Sequence, residues 1–337
     1  MRASLITGLA GAHLSPDEAR FLAEVRPCGI ILFARNCVNP YQLCGLIEDA
    51  KSAIGTDAVL VLIDQEGGRV RRLMPPHWRE LPPAASFAAL AEEDPDGAEK
   101  AARLVARLTA SDLRELGINT NCVPVLDVPA PDSHEIIGDR AYGRTPGEVA
   151  RLGRAVAEGH LAGGVLPVIK HMPGHGRARA DSHLELPIVD APREELSAFD
   201  FKPFRALNDM PAAMTAHVVY AAIDPAAPAS ISEVVTREVM RGEIGFSGLL
   251  MSDDLSMKAL TGDMRQRAEA VIRAGSDVVL HCNGNLEEME QVAAGVPPLT
   301  GQPLKRFERC LSVLSRNDTF DKAEAEAALA TVLAATV

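Results

Sequence analysis

A single (β/α)8 TIM-type barrel is the fold this sequence predicts, and three observations lead to it. Eight short apolar, β-branched runs recur along the 337 residues, most of them separated by amphipathic stretches. Several runs, VLVLI and GIILF among them, are continuously hydrophobic rather than alternating. Strands buried on both faces read this way, which is the parallel-sheet pattern. No composition break, low-complexity linker or internal repeat divides the chain, so residues 1–337 are expected to form one domain, with a helical tail from about residue 303. A doubly wound sheet is the competing arrangement of the same elements.

Taken in order, residues 4–8 form the first strand. Arg2 before a short apolar run imitates a secretory leader, but Gly8, Gly11 and His13 interrupt it. Helices follow at 16–25 and 40–54, each with proline in its first turn. Strands at 29–33 and 58–64 alternate with them, and the polar, proline-rich stretch 75–96 reads as an elaborated loop. Further helices are expected at 97–116, 146–161, 192–207, 233–243 and 265–274, interleaved with strands at 118–127, 165–171, 212–217, 248–253 and 276–281. The closing EAEAALATVLAATV runs only 11 residues past Glu326. That falls short of the ~20 a bilayer span needs and reads as a packed helix.

Composition narrows the function. A net charge of −12 repels phosphate backbones, which argues against a nucleic-acid partner. Six scattered cysteines include no C-x-x-C pair, so reduced thiols in a cytoplasmic protein are expected rather than a disulfide framework or zinc knuckle. One Trp, three Tyr and nine Phe are few, which leaves open what the protein could grip by stacking.

In a barrel the chemistry gathers where strands end at their C-terminal side. Here those ends carry Asp64, Asp127, Lys170 with His171, His217, and Asp253 with Asp254. Any one of them could cap the next helix; so many on one rim point to a site. The segment KHMPGHGRARADSH (170–183) places Asp181 two residues from His183, where a carboxylate can orient an imidazole for proton transfer near neutral pH. His171, His175, His183 and Asp181 would equally suit a metal, and a metal-dependent barrel hydrolase stays open at this point. In MSDDLSM, Asp253 is expected to face the barrel mouth while Asp254 bonds locally. A carboxylate opposite a proton donor is the layout of a retaining glycosidase. The Gly pair of DQEGGRVRRL is a weak phosphate-loop signal without the lysine of that motif. Asp64 beside it suits hydroxyl recognition better.

At these residues the sequence resembles the bacterial β-N-acetylhexosaminidases of glycoside hydrolase family 3, in particular the single-domain cytoplasmic members that act in peptidoglycan recycling. The family pattern KH-x-PGHG-x4-DSH is met at every fixed position, DQEGGRVRR matches DQEGGRV-x-R, and MSDDLSM matches SDDLSM. ILFARN, IGDRAYG and MTAHVVY fall where the family has related segments, so the likeness extends to about Asn283.

The resemblance implies a barrel that removes non-reducing β-linked N-acetylglucosamine with retention, from fragments such as GlcNAc-1,6-anhydro-MurNAc and its peptides. It implies Asp253 as nucleophile, His183 as general acid/base and Asp181 as the partner of His183. Asp64, Arg72, Arg140, Lys170 and His171 would bind the sugar. It implies no metal or organic cofactor. The expected partners are a small soluble muropeptide or chito-oligosaccharide, with no nucleic acid, no membrane, and a monomer favoured. An imidazole acid in place of a carboxylate also leaves phosphorolysis as an alternative to hydrolysis. Two departures stand out. Met172 replaces a more usual Phe or Ile, and the basic filler at Arg177 and Arg179 suggests recognition of an acidic aglycone.

Overall fold

The strands, in a computed structural model describing residues 1–130, 137–178 and 186–334, are β1 (Ala3–Gly8), β2 (Pro27–Leu32), β3 (Leu60–Ile63), β4 (Thr120–Asn121), β5 (Leu166–Met172), β6 (Ile188–Val189), β7 (Ala212–Thr215), β8 (Val219–Tyr220), β9 (Leu249–Asp254) and β10 (Val278–His281). Eight of these close into a parallel barrel in the order β1-β2-β3-β4-β5-β7-β9-β10, with Leu5 opposite Val279 sealing the ring. The short strands β6 and β8 pair outside it. The expected barrel is therefore the observed fold, and the doubly wound alternative is excluded by closure.

Local chemistry explains the regular starts. Ser15 caps the helix Pro16–Val25 by accepting from Glu18 N at 3.2 Å, and the Glu18 carboxylate returns to Ser15 N at 3.1 Å. Thr145 and Glu148 repeat the arrangement ahead of the helix Pro146–Ala162. Asn39 caps Pro40–Ile54, and Gly55 at φ +79° ends it. The barrel interior is filled by Ile6, Ile31, Leu60, Leu62, Val168 and Met251, all fully buried or nearly so.

Four expectations need correction. The fourth strand, expected over 118–127, pairs regularly only at Thr120–Asn121. Pro124 offers no N–H to the ladder, yet its carbonyl accepts from Lys170 N at 3.1 Å, and Leu126 N donates to Lys170 O at 2.6 Å. The expected loop 75–96 contains the helix Ala84–Glu93, because the Ala-rich run after Pro83 is a strong helix former that buries Phe87. The single helix expected at 192–207 is two, Arg193–Ala198 and Lys202–Ala206, since Pro203 cannot continue the first. The stretch 233–243 winds as a π-helix over Val235–Glu243.

The C-terminal region is bolted to the barrel floor rather than trailing from it. The Asp277 side chain, 1% exposed, accepts from Arg306 of the helix Gly301–Val313 at 2.7 Å. Its other oxygen takes Arg241 of the π-helix and Leu250 N, both at 2.9 Å. Phe307 and Cys310 of the same helix enter the core at that end. All six cysteines are free, and among the described residues no helix is long and apolar enough to cross a membrane.

Asp277→Ala leaves two guanidinium groups facing each other without their shared anion, so a loss of about 3–5 kcal/mol is expected. Urea unfolding measures it, and a loss below ~1 kcal/mol would show that Asp277 does not hold the floor together.

Candidate active site

Two of the expected strand ends, those of β3 and β5, join the turn Gly138–Arg140 in a continuous buried ion network. Lys170, near the end of β5, is 3% exposed at its side chain and places Nζ 2.7 Å from Asp64 Oδ1 and 2.7 Å from Glu66 Oε1. Arg72 Nη2 meets the other Asp64 oxygen at 3.0 Å. Arg140 clasps Glu66 from the far side, through Nε and Nη2, each at 2.8 Å. Cations and anions thus alternate: Arg72, Asp64, Lys170, Glu66, Arg140. Three positive and two negative charges leave the network with one surplus positive charge.

Burial shapes the titration of each member. It pushes the Asp64 carboxyl up, but Lys170 and then Arg72 hold it below the ordinary carboxylate range. Glu66 is also pushed up by burial and pulled down by Arg140 and Lys170, ending at about 2. Burial works against the Lys170 ammonium, yet Asp64 and Glu66 hold its pKa well above the usual lysine value. All three groups are therefore charged at neutral pH.

The loop after β3 explains the Gly pair. Gly67 sits at φ +106°, and an added Cβ would lie 2.1 Å from the Pro82 carbonyl oxygen. Close backbone approach, not phosphate binding, is what this glycine provides. Gln65 then pins the loop: its Oε1 accepts from Arg72 N at 2.9 Å and Leu73 N at 3.0 Å, and its Nε2 donates to Leu73 O. Asn121 of β4 holds the Gln65 backbone and bonds His160 Nε2 at 3.0 Å. Since His160 Nδ1 faces the Val156 carbonyl at 2.9 Å and must donate, Nε2 accepts and the ring is neutral. Burial depresses its pKa to about 4.

His171 is oriented by Asp127, which is fully buried. Its Nδ1 donates to Asp127 Oδ2 at 2.6 Å, while Asp127 Oδ1 accepts from the backbone of His171 at 3.2 Å and of His175 at 2.6 Å. Burial pushes the Asp127 carboxyl up, and the overriding attraction of His171 keeps it lowered. Asp127 therefore shapes the start of the segment 172–178 as well as the imidazole. His175 is itself buried, and burial lowers it to about 4.

The two carboxylates of β9 differ in their bonding, and Asp254 bonds locally as expected. Asp254 is spent on the backbone: its Oδ1 accepts from Ser256 N at 3.1 Å and Cys282 N at 3.0 Å, and Ser256 Oγ donates to Oδ2. His217 Nε2 donates to the Asp254 carbonyl at 3.0 Å, so its Nδ1 accepts from Ser230 Oγ at 2.6 Å. Asp253 accepts the next N–H through Oδ1 at 2.8 Å and stays partly exposed at the mouth. The Cys282 thiol, raised by burial first, is raised further by Asp254, Asp64 and Asp253, so these carboxylates share one neighbourhood.

Of the expected site residues, Asp64, Arg72, Arg140 and Lys170 are joined in one network, while His171 and Asp253 stand at the C-terminal ends of β5 and β9, on the same barrel face with β7 between them. Asp181 and His183 lie outside the described residues, as does Arg179. Arg177 differs from expectation: its Nε lies 2.6 Å from Asp200 and its Nη1 2.7 Å from Glu195, so the guanidinium serves protein carboxylates rather than an acidic aglycone. Glu66 was missed as a site residue although it sits inside the DQEGGRVRR motif. Asp127 was noticed at a strand end but given no role.

The glycosyl hydrolase family 3 N-terminal domain matches residues 6–306. A beta-hexosaminidase from Idiomarina loihiensis is 37% identical over 312 residues, covering 92% of this chain and 92% of its own length. Another from Alkalilimnicola ehrlichii is 42% identical over 283 residues, covering 83% and 80%. Among solved structures, NagZ from Neisseria gonorrhoeae in complex with N-trifluoroacetyl-D-glucosamine superposes with a TM-score of 0.88 at 32% identity. That match covers 100% of this chain and 98% of NagZ.

Lys170→Met strands two buried carboxylates side by side and is expected to cost about 3–5 kcal/mol of stability, read by denaturant unfolding. Stability unchanged within 1 kcal/mol would contradict the network. Acid should also weaken the fold from two directions. Glu66 binds its proton later in the folded than in the unfolded chain, so its contribution is full above pH 4.5 and fades toward about 2. His160 and His175 drop from 6.5 to about 4, so the unfolded chain gains protons first as pH falls through that window. Each histidine costs about 3 kcal/mol by pH 4. Calorimetry at pH 7, 5.5 and 4 should show Tm falling at each step, and a level Tm would refute neutral burial of these rings.

Proposed function

The chain belongs to glycoside hydrolase family 3, and from that premise we propose that it is a retaining exo-β-N-acetylglucosaminidase working by double displacement. That it is a glycoside hydrolase of the β-hexosaminidase kind follows from relatives spanning nearly the whole chain. The observation that carries the mechanism is Asp253, held at the end of β9 by its neighbours' backbone bonds and partly open at the mouth that the ion network lines.

In the proposed reaction Asp253 attacks the anomeric carbon and forms a glycosyl ester. The bond to the departing oxygen breaks as His183 gives that oxygen its proton. His183, now neutral, takes a proton from water as water attacks the ester, releasing N-acetylglucosamine and restoring both groups. Asp181 orients His183 and stabilises its protonated form. Asp64, Arg72 and His171 meet sugar hydroxyls and the N-acetyl group. Lys170 and Arg140 act largely by keeping Asp64 and Glu66 ionised and fixed, since their donors face those carboxylates. The proposed substrate is a soluble cytoplasmic muropeptide carrying terminal N-acetylglucosamine. The scarcity of aromatic residues supports a pocket for one sugar rather than a long cleft.

Incubation with a 2-fluoro- or 5-fluoro-glycosyl trap should add one glycosyl mass to the intact protein, with the adduct on the peptide containing Asp253. An adduct on another residue would overturn the assignment. His183→Ala should lower kcat by about 10²–10⁴-fold on a sugar leaving group and much less on an activated aryl glycoside. Product analysis in phosphate buffer separates the acceptors: N-acetylglucosamine supports hydrolysis, and its 1-phosphate would replace water by phosphate in the second step.

A further inference from the structure

We propose that His217 is a positioning residue for the Asp253 carboxylate, fixing it through the backbone of Asp254. The inference rests on the nucleophile role proposed for Asp253 and supplies what holds that group in place. The need for a support lies in the sheet. β7 pairs with β9 only as far as Met214 opposite Met251, so Asp253 stands two residues beyond the last paired position. On the other flank Val278 faces Met251 and Leu280 faces Asp254, so β9 carries one more residue than β10 over the same stretch. A bulge of this kind re-aims a side chain, and it interrupts the ladder that would otherwise fix it.

His217 bridges that gap. Its Nε2 donates to the Asp254 carbonyl at 3.0 Å, beside the turn bond from Met257 N at 3.2 Å. The Asp254 side chain is tied at the same time to Ser256 N and Cys282 N. Residue 254 is thus held at its carbonyl and at its side chain, and its own N–H donates to Asp253 Oδ1 at 2.8 Å. The His217 ring cannot swing away. Ala216 N donates to Met172 O at 2.8 Å, Ser230 N to Ala216 O at 3.2 Å, and Ala229 N to Val218 O at 2.8 Å, so the backbone on either side of His217 is fixed. Ser230 Oγ donates to Nδ1 at 2.6 Å, which keeps the ring hydrogen on Nε2. Burial holds the imidazole below the ordinary histidine range, against the pull of Asp253 and then Asp254, so the ring is neutral at neutral pH. Neutrality suits the role. The transition state gathers positive charge on the sugar, and an imidazolium beside Asp253 would oppose it.

Labelling by the 5-fluoro-glycosyl trap, followed as a rate at several trap concentrations, tests this in His217→Met, His217→Gln and Ser230→Ala. Methionine fills much of the space without a donor, whereas glutamine keeps an N–H at similar reach. His217→Met should slow the limiting labelling rate about 10- to 100-fold with the half-saturating concentration little changed, since misplacing a reacting group by ~1 Å costs about 10²-fold. His217→Gln should recover most of that loss, and Ser230→Ala should slow labelling by a smaller factor. For His217→Met, kcat/KM should fall alike on a sugar–sugar substrate and an activated aryl N-acetylglucosaminide, because both need the same attack. Labelling of Asp253 in His217→Met at the wild-type rate would remove the positioning role and leave the nucleophile standing. Equal losses in the Gln and Met variants, or a rise in half-saturation that accounts for the slower labelling, would reduce His217 to a structural contact. A wild-type adduct on a residue other than Asp253 would remove the nucleophile assignment and this inference with it. If His217→Met does not fold, Ser230→Ala decides: slower labelling at unchanged half-saturation supports the role, and the wild-type rate overturns it.

Discussion

Burying charge at the mouth of a barrel is costly unless each charge faces its opposite, and the Lys170 ammonium meets that condition for two carboxylates at once. At 2.7 Å each attraction is worth about 6 kcal/mol gross at an effective dielectric near 20. That offsets the several kcal/mol that desolvating each ion costs. Arg72 and Arg140 close the ends, so no carboxylate is left with an unmatched oxygen. Three separate segments, the β3 loop, β5 and the turn Gly138–Arg140, are thereby fixed to one another.

The remainder of the site is arranged around that rigid cradle. Asp127 sets both the His171 ring and the backbone of His175, so one buried carboxylate couples the β4 end to the segment leaving β5. Asp254 is taken up by Ser256 and the Cys282 backbone and His217 by Ser230 and the Asp254 carbonyl, while Asp253 at the end of β9 is partly exposed. Further back, the neutral His160 supports Asn121, which supports Gln65, which holds Arg72 in place. A polar relay of this kind works only when its members are satisfied, and the side chains of His160, Asn121 and Gln65 are matched.

Much of this was legible without coordinates, and the exceptions have physical causes. Strand-end residues showed themselves because a charge closing an apolar run needs a reason, and Asp64, Lys170 and His171 each have one in a buried partner. Glu66 escaped because it follows the strand by three residues, in a loop whose glycines suggested a different purpose. The role of Asp127 depends on backbone N–H groups more than 40 residues away, which no local pattern reports. Arg177 looked like a surface cation available to ligand; only the fold shows Asp200 and Glu195 waiting for it. β4 pairs regularly over only two residues although Pro124 lies in a run whose composition is otherwise that of a strand.

By itself the sequence determined the barrel, the face that carries chemistry and the identity of most groups on it. Continuous apolar runs can be buried only in a parallel sheet covered on both sides, and fixed-spacing motifs carry their chemistry with them. Tertiary structure alone decided which of those groups are presented and which are consumed. Lys170 and Arg140 face inward to carboxylates, Asp254 is tied to backbone, and Arg177 is turned to Asp200. Charge pairing is a property of distance across the fold, and distance along the chain does not encode it.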